Sequence, residues 1–190
     1  MAEFAYATLL RPVEERDLPL LRRFLVEPGL IGLDWAGYRD PESSARRFSA
    51  DGFVGPDDGR LMVDDGSADI AAGFVSYRRK TYVNVDHWEI GIALLPERRA
   101  RGLGWLAQAL LCDYLFCHTA AQRIEAGTHS ENIAEQRALE KAGFRLEGIL
   151  RAVEFRDGDW RDGHLYSRLR SDPAPAAQAV TRRLDSAPER

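Results

Sequence analysis

The stretch Leu95-Pro-Glu-Arg-Arg-Ala-Arg-Gly-Leu-Gly-Trp-Leu-Ala107 combines the residue types that hold phosphate. Gly102 and Gly104 would let an anion approach backbone N–H groups, and a helix starting there would add its partial positive charge. Arg99 and Arg101 suit a ligand with more than one phosphate. Three phosphate loops compete. A Walker A loop needs a lysine after its glycines, and none follows here. The dinucleotide fingerprint fits Gly102-Leu-Gly104-Trp-Leu-Ala107, and Glu125 lies about 20 residues further on, where a ribose-binding acid belongs. In that fold, however, the first glycine follows its strand almost at once, whereas here residues 96–101 intervene. Too little chain also follows Asn132 to complete a nucleotide domain and a substrate domain. The third form is R-x-x-G-x-G, Arg99 to Gly104, after a strand and opening a helix.

The elements that must position this loop can be read from periodicity. Strands are expected at 8–12, 60–64, 68–77, 87–95, 123–128, 144–155 and 160–170. Asp65-Gly66 and Asp157-Gly158 mark hairpin turns. Asp17 is an N-cap candidate for a helix stopped near Pro28-Gly29, and a second helix is expected over 41–48. A third runs from 102 to 118, and a fourth from Asn132 to Ala142, closed by Gly143. The expected architecture is α/β: a mixed, mostly antiparallel sheet of six to seven strands with about four helices. One domain is expected over 1–170, followed by a Pro/Ala-rich flexible tail over 171–190.

Hydrophobic residues make up 45% of the chain, enough for a packed core, and the net charge of −4 argues against a nucleic-acid binder. No apolar run has membrane-spanning length, and the N-terminus has no secretory leader, so a cytoplasmic protein with no membrane partner is expected. Cys112 and Cys117 have neither metal nor redox-pair spacing and read as buried free thiols. No metal site is expected. Asn132-x-x-Glu135 fits a capping-box-like pattern.

The segments EIGIALLPERRARGLG and HSENIAEQRALEKAGFRLEGILR, in this order and separation, resemble the GCN-five-related N-acetyltransferases (the GNAT superfamily), in the branch of Rim-type ribosomal-protein N-acetyltransferases. The resemblance covers residues 8–170. It implies a sheet whose two central strands splay, with acetyl-CoA as co-substrate in the gap. The pantetheine arm would bond backbone at Ala93, Leu94 and Leu95. Arg99, Ala100, Arg101, Gly102, Leu103, Gly104 and Trp105 would hold the pyrophosphate. Asn132 would contact the pantetheine, and Lys141 could reach the 3′-phosphate. The implied chemistry is direct attack of a neutral amine on the thioester in a ternary complex, with an oxyanion held by an N–H near Leu95 freed by a bulge. Glu89 would be the general base and His87 a proton shuttle on the same face. Relatives often carry serine where Glu135 stands, which gives Glu135 either the capping role or a polar role near the thioester.

The acceptor would be a small-molecule or peptide amine, met by the segments LDWAGYRDPES and FRDGDWRDGHLYSR. Trp35, Tyr38, Trp160 and Tyr166 are candidate aromatic walls, and Asp34 and Asp40 could attract a cationic amine. Residues 78–87 read as an insertion lengthening a hairpin beside the entrance. A monomer or homodimer is expected. The alternatives are a non-catalytic acyl-CoA-binding module and an acyltransferase using a longer acyl-CoA.

Overall fold

In the computed structural model, residues 9–35, 37–64 and 70–175 are described. The Asp65-Gly66 turn and the tail beyond residue 175 lie outside them. Among the described residues, seven strands form one sheet: β1 (Leu10–Pro12), β2 (Asp58–Val63), β3 (Gly73–Tyr82), β4 (Val85–Leu94), β5 (Arg123–His129), β6 (Arg145–Arg156) and β7 (Asp159–Leu169). Their order is β1-β2-β3-β4-β5-β7-β6. Every neighbouring pair is antiparallel except β4 and β5. The exception follows from connectivity, since parallel strands need a crossover, here the helix between them.

The helices are α1 (Leu18–Val26), α2 (Pro28–Ile31), α3 (Ser43–Asp51), α4 (Leu103–His118) and α5 (Ile133–Lys141). Residues 78–87 do lengthen a hairpin: they finish a continuous β3–β4 pair that turns at Val83 and Asn84. The two faces of the sheet bury separate cores. One joins α4 and α5 to Val75, Trp88, Ile90, Ile124, Ala126 and Tyr166. The other joins α1 and α2 to Met62, Phe74, Ala93 and Leu95. Side-chain alternation along β4 therefore sends Trp88, Ile90 and Leu94 to the α4 face and Glu89, Gly91 and Ala93 to the α1 face.

Within α4, Ala107 through Cys112 and Leu115 are buried, and burial pushes the Cys112 thiol up to about 12. Cys117 departs from expectation: it is exposed, because it falls on the side of α4 facing away from the sheet. The C-terminus of α4 is closed by Arg170, which donates to the carbonyls of Phe116 and Thr119, at 2.7 Å each, and of Ala121. A cation there complements both the orphan carbonyls and the helix dipole.

Asp17 stands at the N-cap position of α1 but does not bond the helix with its side chain. Its buried carboxylate instead accepts from both Arg11 terminal nitrogens, at 2.7 and 2.8 Å, and from the Glu14 N–H. Arg11 also donates to Asp64, tying β1 to the end of β2 and to the start of α1. Arg11→Met should lower stability by about 3 kcal/mol, because it strands a buried carboxylate. Chemical denaturation of the two proteins checks this.

Candidate active site

The β4–β5 ladder pairs Trp88 with Ile124, Glu89 with Glu125 and Ile90 with Ala126, and then stops. Both strands continue, β4 to Leu94 on β3 and β5 to His129 on β7. The sheet thus opens between Gly91–Leu94 and Gly127–His129. Alternate backbone groups of β4 that would bond β5 in a continuous sheet face this gap. Thr128, on the β5 side, has a buried hydroxyl oxygen with no hydrogen-bond partner among the described residues. An extended ligand bearing amides would satisfy such groups.

The oxyanion donor expected near Leu95 is not freed by a bulge. The β3–β4 register runs without a shift from Leu94 to Val85, and the Leu95 N–H donates to the Ala72 carbonyl at 2.9 Å. The N–H groups left over belong to β4 itself, between Gly91 and Leu94.

At the end of β4 the chain makes a 3-10 turn over Pro96–Arg98 and then takes positive φ at Ala100 (59°) and Gly102 (83°). Gly102 is the N-cap of α4, and no side chain caps the helix. The first N–H groups of α4 therefore lie in the glycine loop, as an anion site needs. Any side chain at Gly102 would be strained at this φ, and its Cβ would stand 3.3 Å from Trp105 Nε1. Arg99 does not serve the loop with its charge. Its guanidinium turns back to the carbonyls of Leu94 (3.0 Å) and Leu30, fastening α2 to the end of β4. Arg101 is exposed.

Asn132 caps α5, its side-chain oxygen accepting from the Glu135 N–H at 3.2 Å. The Glu135 carboxyl does not complete a capping box. It lies close enough to Gln108 of α4, whose amide donates to the Gly104 carbonyl at 3.3 Å, and to Asp34, in the segment between α2 and α3, for both to act on its pKa. Burial raises its pKa to about 7, and the Asp34 charge adds to the rise. Glu135 stands in the first turn of α5, just beyond the end of β5 at His129. The Asp34 carboxyl is also raised, by the surrounding protein, although solvent reaches the residue. Its ionisable neighbours are Arg156, Glu154, His129 and Arg99. The β6–β7 register shifts between Leu150 and Glu154, and Ala152 has φ 48°. Such a bulge re-aims the residues after it, here Glu154 and Arg156.

The remaining candidates separate. Glu89 lies on the α1 face in the wall of a cavity of about 530 Å3, ion-paired with Arg78 and with Lys80 at 3.7 Å. His87 is buried against Glu125 at 3.1 Å and stacked on Tyr82, within the paired part of the strands, and lines neither cavity. Trp35 packs edge-on against Tyr38, and Trp35 lines a smaller recess with Asp34. Trp160 is exposed at the β6–β7 tip, edge-on to Phe155. Tyr166 is no acceptor wall: it is 1% exposed and part of the α4-side core. Asp40 is engaged by the Glu42 N–H and by Arg46. Lys141 is exposed in the last turn of α5. His129, Gln108, Arg39 and Arg60 were not singled out from sequence. For His129, the signal was its place at the end of the strand before Asn132.

The family model "Acetyltransferase (GNAT) domain" matches residues 8–145. The chain belongs to the GNAT family. Among related proteins, the "Probable N-acetyltransferase YjcK" of Bacillus subtilis (strain 168) is 37% identical over 83 residues, 44% of this chain and 46% of that protein. The match therefore spans less than half of that relative. Among solved structures, the same fold occurs in a spermidine N-acetyltransferase from Vibrio cholerae, in complex with CoA and spermine. It is 21% identical with a TM-score of 0.74, covering 87% of this chain and 98% of that one. It also occurs in a ribosomal-protein-S5-alanine acetyltransferase from Vibrio fischeri, 21% identical with a TM-score of 0.71, covering 86% and 93%. Within this GNAT domain no cluster of metal-ligating side chains occurs among the described residues. No described helix is long and apolar enough to cross a membrane.

The raised Glu135 pKa has a consequence for folding. The folded protein holds this proton up to about pH 7, whereas an unfolded chain releases it near 4.5. The protonated group's contribution to stability is full below the unfolded value, falls as pH rises toward 7, and stays lost above that. Glu135→Gln should therefore gain stability relative to the parent between about pH 4.5 and 7 and hold the gain at pH 8. Thermal melts across this range check the sign.

Proposed function

We propose that this chain is an acetyl-CoA-dependent N-acetyltransferase that moves an acetyl group directly to a primary amine in a ternary complex. The observation that carries this reading is the break in β4–β5 pairing after Ile90 and Ala126. The gap offers unpaired backbone groups to the amides of a pantetheine arm. The Ala100–Trp105 loop lies beyond one end of β4 and offers N–H groups to a pyrophosphate. Asn132 and the Thr128 hydroxyl stand on the β5 side, with Ala93 and Leu94 opposite.

The amine nitrogen attacks the thioester carbonyl, and charge gathers on its oxygen. A β4 N–H between Gly91 and Leu94 is placed to hold that charge. The carbon–sulfur bond then breaks and CoA leaves as thiolate. Glu135, still protonated near neutral pH, returns a proton to that sulfur. Glu89 takes the proton lost by the amine, directly or through one water, while Arg78 and Lys80 hold its carboxylate in place. Solvent then resets both groups. A group with pKa near the working pH suits such transfer. His87 holds Glu125 and Tyr82 together instead of shuttling protons.

A thiol-release assay with acetyl-CoA and a panel of amines tests the activity. CoA binding without release for any amine would leave a binding module. Glu135→Gln should lower kcat about 100-fold and abolish the fall in rate above about pH 7. CoA affinity should be retained. Glu89→Gln should lower the rate with CoA affinity nearly intact, and full activity would remove Glu89 as the base. Gly102→Glu should weaken CoA binding more than about tenfold through backbone strain and charge repulsion, read by calorimetry. Unchanged affinity would remove the loop assignment.

A further inference from the structure

Beside β4, on the α1 face, lies the cavity of about 530 Å3, floored by Glu89, Ile90 and Gly91 and so reaching the last paired residues before the gap. A smaller recess shares Leu25, Arg39 and Arg60 with it and extends to Asp34 and Trp35. The charges of the larger cavity cancel in pairs, with two exceptions. Arg47 is held by Asp58 and Asp51, and Arg78 by Glu89. Arg39 and Arg60 have no bonded carboxylate among the described residues.

Arg60 is the more telling of the two. Its guanidinium lies over the rings of Phe74 and Phe53, 4.1 and 5.0 Å from their centroids, and its buried Nε has no hydrogen-bond partner. Burial and the nearby charges of Arg39 and Arg47 press its pKa down to about 10, so it remains a cation at neutral pH. Buried guanidinium groups are ordinarily paired, because an unpaired one forfeits its hydration. Here two phenyl rings fix the plane of the group and leave its donors facing a cavity. Arg39 stands beside it on a segment anchored by the Arg39 N–H to the Leu25 carbonyl.

We infer that the amine acceptor is a small molecule that also carries an anionic group, a carboxylate or a phosphate, bound between Arg39 and Arg60. This rests on the N-acetyltransferase reading and names the class of its acceptor. Two planar arginines hold either anion in fork-like pairs. The amine end would extend along Gly91 toward the gap, and the cavity volume falls within the range of small-molecule sites. Gly91 keeps that path open, since a Cβ there would crowd Ser76 Oγ at 3.2 Å.

The test compares amines that differ in the anion: phenylalanine with phenylalaninamide, and phosphoethanolamine with ethanolamine, with spermidine as a polycation. Thiol release is measured, and binding is measured by calorimetry with CoA saturating. Inorganic phosphate is titrated under the same condition, so that the glycine loop is already filled. At least one anionic member should bind about 10- to 100-fold more tightly than its neutral partner, and the pair that responds tells carboxylate from phosphate. Arg60→Met and Arg39→Met should each erase that preference and weaken phosphate binding, with the KM for acetyl-CoA unchanged. Arg39 is exposed, so its variant answers should the Arg60 variant fail to fold. No preference in either pair, with phosphate binding unaltered in the variants, overturns the inference. Thiol release with neutral amines or spermidine alone leaves the transferase reading standing and removes this one. Anion-dependent binding without thiol release for any amine keeps the Arg39–Arg60 anion site but overturns its assignment to an acceptor, together with the transferase reading.

Discussion

The structure depends on a ladder that stops. In a continuous sheet, β4 and β5 would satisfy one another's backbone groups along their whole length. Here they pair over three residues, and the open ends are held apart from outside. β3 grips β4 and β7 grips β5. Arg99 pins the end of β4 to α2 through two carbonyls. Gln136 donates to the Ser130 carbonyl and fixes the turn beyond β5. Backbone groups left facing a gap are costly without a partner, so the fold carries a demand for a ligand with amide character.

The two faces of the sheet give the two sides of that gap different electrostatics. On the α4 and α5 side, burial raises the Glu135 pKa to about 7. On the α1 side, arginines dominate, and those without carboxylates flank a cavity reaching toward the same gap. One carboxyl held neutral and one cationic wall are the arrangement expected where a thiolate must be protonated and an anion-bearing amine must be oriented. The β6 bulge adds Glu154 and Arg156 to the surroundings of Asp34.

Local patterns were legible in the sequence, and long-range ones were not. The glycine loop, α4, α5 and the Asn132 cap could be read because each is decided within a few residues. Tyr166 could not be assigned to a face, since burial along the end of β7 does not alternate: Tyr166, Ser167 and Arg168 are all buried. Cys117 was misplaced because α4 is apolar nearly all round, leaving no polar stripe to mark its outer side. For Glu135 the sequence leaves cap and site open, and its burial, which depends on residues distant in sequence such as Gln108 and Asp34, is set only by the tertiary fold. Arg60 carries no local signal at all. Its meaning comes from Phe53, Phe74 and Arg39, which only the tertiary fold assembles.

We propose that the open ends of β4 and β5 receive acetyl-CoA. Amide hydrogen exchange measured residue by residue, with and without CoA, addresses it most directly. Protection should rise at alternate amides of Gly91–Leu94 and at the start of α4, while the already paired amides of β2 and β3 stay unchanged. Equal exchange in the two states across Gly91–Leu94 and Leu103–Trp105, at saturating CoA, would rule out CoA binding in the gap.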